Sequence, residues 1–224
     1  NNIGIGENAA RASLRSSQLI SIGYNSSLYS SGITNLVAIG QGAAGSASDT
    51  VQCISIGYNA GKSSSENTTC EFVGASAGQQ SQSNQRSQFF GANAGLDAKD
   101  NFGTVSIGNY ASQSGYSDDR SVYIGYYAGR YGDNNEKNVA VGYYALGGLP
   151  SLRGTNSRVI AIGSAAGTKA SGIQNTVIIG RNAMNYMDDI PSGVVENTIV
   201  LGRAVGKGNG TDRKIGSYNL IIEP

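Results

Sequence analysis

One element recurs along nearly the whole chain: two or three apolar β-formers, a glycine, two variable residues, then alanine. It reads Ile3-Gly4-Ile5-Gly6, Ile20-Ser21-Ile22-Gly23, Val37-Ala38-Ile39-Gly40 and Ile54-Ser55-Ile56-Gly57. The anchor glycines Gly6, Gly23, Gly40, Gly57, Gly74, Gly91, Gly108, Gly125 and Gly142 stand 17 residues apart. Gly163, Gly180 and Gly202 follow at steps of 21, 17 and 22. The residue before the glycine is always Ile, Val, Leu or Phe. The residue three before it is Ile or Val in ten of the twelve copies, with Glu71 and Gln88 the departures. Three after it comes Ala, except at Ser26 and Val205.

A unit of 17 residues is too short for a helix pair and too regular for a meander of hairpins. It predicts an all-β fold, a parallel β-roll or β-solenoid of about 12 coils, with one coil per repeat stacked ~4.8 Å apart. Strand side chains alternate, so the first and third residues of Val37-Ala38-Ile39 share a face. That pair is expected to fill the coil, with the alanine folding back beside it. The middle residues then point the other way: Ala38, Ser55, Phe72, Phe89, Ser106, Tyr123, Ala140, Ala161, Ile178 and Val200. Most are apolar or small, which predicts a second buried face. Its expected partner is the same chain, in a homotrimer whose inner strands meet around a common axis, with Phe72 and Phe89 widening that contact.

The array is expected to span residues 1–206, with short insertions near 146–156 and 185–197. Residues 207–224 read as a C-terminal linker and a last strand around Tyr218–Ile222. The chain opens mid-pattern, without an initiator Met or signal peptide, and reads as a fragment of something longer. Gly, Ser and Asn fill more than a third of the sequence, and only 14% is charged. Such a composition suits disorder, but the 39% hydrophobic content and the register of the repeat argue for a folded rod.

Several chemistries are excluded early. There is no histidine, which removes Ser-His-Asp and Cys-His nucleophiles and every His-based metal site. Two cysteines cannot build a Cys₄ site or a disulfide framework. Cys53 and Cys70, one coil apart at the same repeat position, are expected to stack as buried thiols. A net charge of +1, without basic clusters, gives no field for nucleic acid. No apolar run is long enough for a membrane span. No metal or other cofactor is implied. Asp119 and Glu136 share a repeat position in consecutive coils, with Asp118, Asp133 and Asn135 adjacent. A solvated outer turn, offset by Arg120 and Lys137, is the expected reading, ahead of a carboxylate pair for glycoside cleavage or a divalent cation.

Tyrosine is the more informative residue. Eight of 13 lie between Tyr110 and Tyr144, mostly one or two places after an anchor glycine. Such rings offer large contact area at low entropy cost. Tyr110, Tyr126, Tyr127, Tyr131, Tyr143 and Tyr144 are the candidate receptor or glycan site, set against a purely stiffening aromatic stack.

The stretches Ser55-Ile56-Gly57-Tyr58-Asn59-Ala60-Gly61 and Val139-Ala140-Val141-Gly142-Tyr143-Tyr144-Ala145 resemble the head repeats of trimeric autotransporter adhesins (YadA-like). Their 17-residue spacing is closer to the "N-T-A-I-G-Y-N-A-L" repeats of phage tail fibres and related bacterial fibres, which often precede an endosialidase-type intramolecular chaperone. The resemblance implies a left-handed β-roll, a homotrimer, and an adhesive or spacer role outside the cell, on a virion or a bacterial surface. An adhesive role calls for a cell-surface glycan or protein receptor as partner, while the charge and the lack of an apolar run point to no nucleic acid and no membrane insertion. The expectation is a non-enzymatic attachment segment of a phage tail fibre. A bacterial adhesin head or stalk is the alternative, and a polysaccharide-degrading tailspike the third.

Overall fold

The structure is a computed structural model that describes residues 2–148, 155–169, 171–185, 195–205 and 220–222. The expected insertions fall largely on 149–154 and 186–194, and the linker on 206–219, outside the described residues. The strands of the first half are β1 (Ile3–Ile5), β2 (Ser17–Ile22), β3 (Thr34–Ile39), β4 (Ile54–Ile56), β5 (Glu71–Val73), β6 (Gln88–Phe90) and β7 (Val105–Ile107). The second half has β8 (Val122–Ile124), β9 (Val139–Val141), β10 (Ser157–Ile162), β11 (Ile173–Ile179), β12 (Val195–Glu196), β13 (Ile199–Leu201) and β14 (Leu220–Ile222).

All pair in parallel in one sheet, each with its successor, except that β11 pairs with both β12 and β13. The register is that of the repeat: Val37 opposes Ile54, and Ile54 opposes Glu71. Both irregular steps are absorbed without slippage, since Val139 still opposes Ile160 and Val177 still opposes Ile199. A one-residue slip would turn every side chain over, so this register keeps the same strand residues facing inward on both sides of each irregular step. The chain is a β-solenoid with a repeat of about 17 residues.

Two further lines of parallel bridges run along the rod, one through Ser48, Ser65, Gln82 and Lys99, the other through Val51, Thr68, Gln85 and Phe102. Between strand and bridges lies a run of tight turns. In the coil after Gly57, Ala60 N–H donates to Gly57 O at 3.3 Å and Lys62 N–H to Asn59 O at 3.1 Å. The alternate amides reach neighbouring coils: Asn59 N–H to Gln41 O at 2.9 Å, Gly61 N–H to Ala77 O at 2.8 Å. Five residues of this coil, Asn59, Gly61, Ser63, Glu66 and Thr69, are left-handed. Asn and Gly reach that region most cheaply, which accounts for part of their excess. At the anchor the requirement is absolute. Gly57 has φ 134°, and a Cβ there would lie 2.5 Å from the carbonyl oxygen of Gly74.

The inside and the outside of the coil are the reverse of the sequence expectation. Ala38, Ser55, Phe72, Phe89, Ser106, Tyr123, Ala140, Ala161, Ile178 and Val200 are buried within the single chain, none more than 2% exposed. They are its core and cannot form a contact between chains. The branched residues on either side face out: Ile56, Ile107 and Ile124 are about 40% exposed, at 37%, 41% and 38%. The cause is volume. The coil closes over the middle residue, the alanine three after the glycine, and the residue beyond that alanine. Ala60, Ala77, Ala94 and Ala111 are all fully buried there. Where the middle residue is an aromatic, the residue facing it is glycine: a Cβ on Gly78 would lie 2.4 Å from Phe72, on Gly95 2.2 Å from Phe89, on Gly129 2.4 Å from Tyr123. Phe72 and Phe89 stack inside the rod, with centroids 5.7 Å apart and planes at 14°.

The core changes character along its length. Leu19, Ile33 and Leu36 fill the N-terminal coils, and Val159, Ile173, Ile178, Met184 and Val195 the C-terminal ones. Between them the position ten after the anchor holds Asn67, Asn84, Asn101, Asp118 and Asn135, and Asn156, fourteen after Gly142, continues the line past the longer step; all are buried. Asn67 Oδ1 accepts the Asn84 N–H at 3.0 Å, Asn84 Oδ1 the Asn101 N–H at 3.1 Å, and Asn101 Oδ1 the Asp118 N–H at 2.8 Å. Burial of a polar group is cheap only when it is bonded, and the ladder bonds each asparagine to the next coil. Cys53 and Cys70 are free and buried, with Cys70 N–H donating to Cys53 Sγ at 3.2 Å. The hydrogen bond with Cys70, then burial, push the Cys53 thiol up, so it stays neutral.

Candidate functional site

The six candidate tyrosines form one cluster on the outside of three consecutive coils. Tyr126 and Tyr143 follow their anchors directly and stack with centroids 5.5 Å apart and planes at 2°. Tyr110, Tyr127 and Tyr144 stand one place further on. Tyr127 lies 5.0 Å from Tyr110 and 4.8 Å from Tyr144, ring centroid to centroid. Tyr126 and Tyr127 meet edge to face at 4.1 Å. The second column is strained: Tyr110, Tyr127 and Tyr144 have φ of 58°, 59° and 57°. Asn8, Asn25, Asn59, Asn93 and Asn182 occupy that position elsewhere. A left-handed tyrosine costs about 1–2 kcal/mol. Aromatic pairs return about 0.5–1.5 kcal/mol each, so three tyrosines in a row offset a strain that one alone would not.

Arg130 completes the cluster, and the sequence reading missed it. Its guanidinium lies 4.4 Å from the ring centres of Tyr127 and Tyr131 and 5.7 Å from that of Tyr110. Its Nη2 donates to the Tyr131 hydroxyl at 2.7 Å, which ties Tyr131 to the patch. Among the described residues Arg130 forms no ion pair, so the charge is held by ring faces rather than a carboxylate. The available signal was its place in the tyrosine-rich stretch, directly before Tyr131. Tyr126 is 40% and Tyr143 53% exposed. Because these two rings cover a face of one another, the patch presents edges and hydroxyls outward. The Tyr127 hydroxyl, and after it burial, push the Tyr126 phenol up to about 12, so the edge remains a neutral donor and acceptor.

The acidic cluster does not converge. Asp118 points into the coil while Asp119 lies on the outside, as alternation requires. Asp119 does pair with Glu136 across neighbouring coils, but Arg120 holds Asp119 and Lys137 holds Glu136. The Lys137 ammonium keeps the Glu136 carboxyl below its ordinary range, which suits a charged surface ladder rather than a proton donor. Among the described residues no group of three Cys, Asp or Glu is arranged to hold a metal ion, and no helix is long and apolar enough to cross a membrane.

A second surface follows from the reversed coil. Ile20, Ile56, Ile107, Ile124, Ile162 and Ile179 stand in columns on the outer face of the sheet, each about 40% exposed. No protein-family model matches the chain, and no curated protein matches it.

Proposed function

We propose that the chain is a non-enzymatic structural and adhesive segment of a homotrimeric fibre of the phage tail-fibre kind, acting outside the cell to attach a particle to a target cell surface. The observation that carries this reading is a pair of partly exposed columns on one face of the sheet, one apolar from coil to coil through Ile56, Val73, Phe90 and Ile107, the other of Ile and Val broken at Glu71 and Gln88. A continuous apolar stripe of this length is unusual on a monomer and marks an interface. Repetition at a fixed pitch suits it to identical copies: side by side and parallel, every isoleucine meets its equivalent at every level. Three copies around an axis hide one stripe each and leave the turn surfaces outside. A left-handed winding of the roll belongs to the same reading.

The tyrosine cluster is the attachment surface. It lies on the turns that follow the strands and displays hydroxyls, ring edges and the Arg130 cation, which has no ion pair among the described residues, to a glycan or protein receptor. Replacement of Tyr126, Tyr127, Tyr143 and Tyr144 by serine is expected to abolish adsorption to the target cell while light scattering still reports a trimer. Unchanged adsorption overturns the site, and a wild-type chain that scatters as a well-folded monomer overturns the fibre. New reducing ends after incubation with capsule or lipopolysaccharide, lost in Asp119→Asn, would make the protein a depolymerase instead.

A further inference from the structure

Ten buried side-chain polar atoms among the described residues have no hydrogen-bond partner, and six of them lie in one stretch of core: Asn101 Nδ2, Ser106 Oγ, Ser112 Oγ, both oxygens of Asp118, and Tyr123 Oη. Such groups are rare in proteins and each calls for an explanation. At their centre is a fully buried carboxyl. No cation pairs with it: the described ion pairs are Arg120–Asp119 and Lys137–Glu136, both on the surface. An isolated buried carboxylate is among the costliest groups a core can hold. Space for it is made by glycine, since a Cβ on Gly115 would lie 2.9 Å from Asp118 Oδ2 and one on Gly132 3.1 Å from Asp118 Oδ1.

The ladder shows what the core is built for at this position. Asn67, Asn84, Asn101, Asn135 and Asn156 hold the equivalent place, and each carries one acceptor and one donor group. A protonated aspartic acid has the same shape and the same pair of functions. We propose that Asp118 is a proton-binding site of the folded rod, held as the neutral acid and acting as an asparagine in the ladder. Its hydroxyl proton then supplies one donor to this group of buried oxygens. The groups facing it are Tyr123 in its own coil, Asn135 and Asp133 from the next, and the uncharged Asn101 from the preceding one. Burial is the main cause that pushes its carboxyl up from 3.8 to about 7, opposed by the Asn135 amide and the Tyr123 hydroxyl and aided by Asp133.

The direction follows from proton linkage. Below pH 3.8 both folded and unfolded chains carry the proton, and stability is at its full value. Between about pH 4 and pH 7 only the folded chain carries it, so stability falls as pH rises, tenfold in the unfolding constant per unit. Above about pH 7 the loss is complete. The chain has no histidine, so no histidine titration blurs this window. The coil affected carries Tyr110 and Tyr116 on its outside, which places a proton-dependent core beneath the edge of the tyrosine patch.

The test is urea unfolding of the full chain from pH 4 to pH 8.5, wild type beside Asp118→Asn. The wild-type unfolding constant is expected to rise on the order of a thousandfold and then level off. Asp118→Asn is expected to match the wild type in acid, to exceed it at pH 8, and to lose most of the slope. Should Asp118→Asn fail to fold, infrared spectra of the wild type decide: a carboxylic-acid carbonyl band present at pH 6 and lost by pH 9 supports the site. A flat wild-type profile, an identical slope in Asp118→Asn, or no such band overturns it. So does a large stabilisation of the wild type, but not of Asp118→Asn, by added Ca²⁺ at pH 8, which would make the site a cation site.

Discussion

At the scale of single residues the coil is governed by volume matching across a very narrow interior. The middle strand residue and the residue four after the anchor face one another, and their sizes trade. Phe72 faces Gly78, Phe89 faces Gly95 and Tyr123 faces Gly129. Ala140 leaves room for Leu146, which is buried. Two glycines separate packing from backbone strain. Gly172, at φ 75°, has nothing within 4 Å of its Cβ position, whereas Gly95, at φ 61°, has the Phe89 ring at 2.2 Å. Gly172→Ala is expected to cost about 1–2 kcal/mol, the left-handed penalty alone. Gly95→Ala is expected to cost that plus about 1–3 kcal/mol of overpacking. Urea midpoints of the two variants measure the difference, and equal shifts would deny the facing pair. Phe72 and Phe89 were conspicuous in the sequence as large middle residues beside the departures Glu71 and Gln88. Their partners were not, because glycines in so glycine-rich a chain draw no notice until the coil closes.

At the scale of the element, the asparagine ladder replaces a hydrophobic core in the middle of the rod. Asn84 accepts the Asn101 N–H through Oδ1 and donates through Nδ2 to Ala98 O and Asn67 Oδ1, both at 3.1 Å. Asn84→Ala is expected to lower stability by about 1–3 kcal/mol for each buried group left unpaired. Hydrogen exchange should show the loss locally, with the Asn101 amide deprotected and the Val159 amide in the apolar C-terminal coils unchanged. Uniform loss of protection along the rod would mean that the coils unfold as one unit rather than as stacked neighbours. Asn67, Asn84 and Asn101 stand 17 apart, as do Asp118 and Asn135, so the ladder was legible as a period. It was not read as core, because polar residues are assigned outward unless a bonding partner is known, and here the partner is the next coil.

At the scale of the whole molecule, the proposed trimer rests on the outward Ile and Val columns. Ile107→Lys with Ile124→Lys places two ammonium groups in the middle of the stripe. Each site is about 40% exposed, so the single chain bears the change with its circular dichroism unaltered. The trimer proposed above is expected to dissociate in sedimentation velocity, whereas Ser63→Lys, on an outer turn, leaves it whole. Retention of the trimer in the double variant would move the interface to another face. The sequence alone determined the repeat, the parallel in-register stacking, the position of the turn and the absence of histidine chemistry, because each depends only on spacing and residue type. Only the tertiary structure decided which parity of the strand faces inward. An alternating pattern is unchanged when its two faces are exchanged, and the choice rests on how much volume a closed coil can hold. That closure sends the branched residues out, brings Arg130 over the tyrosine rings, and turns Asp118 inward while Asp119 stays in water.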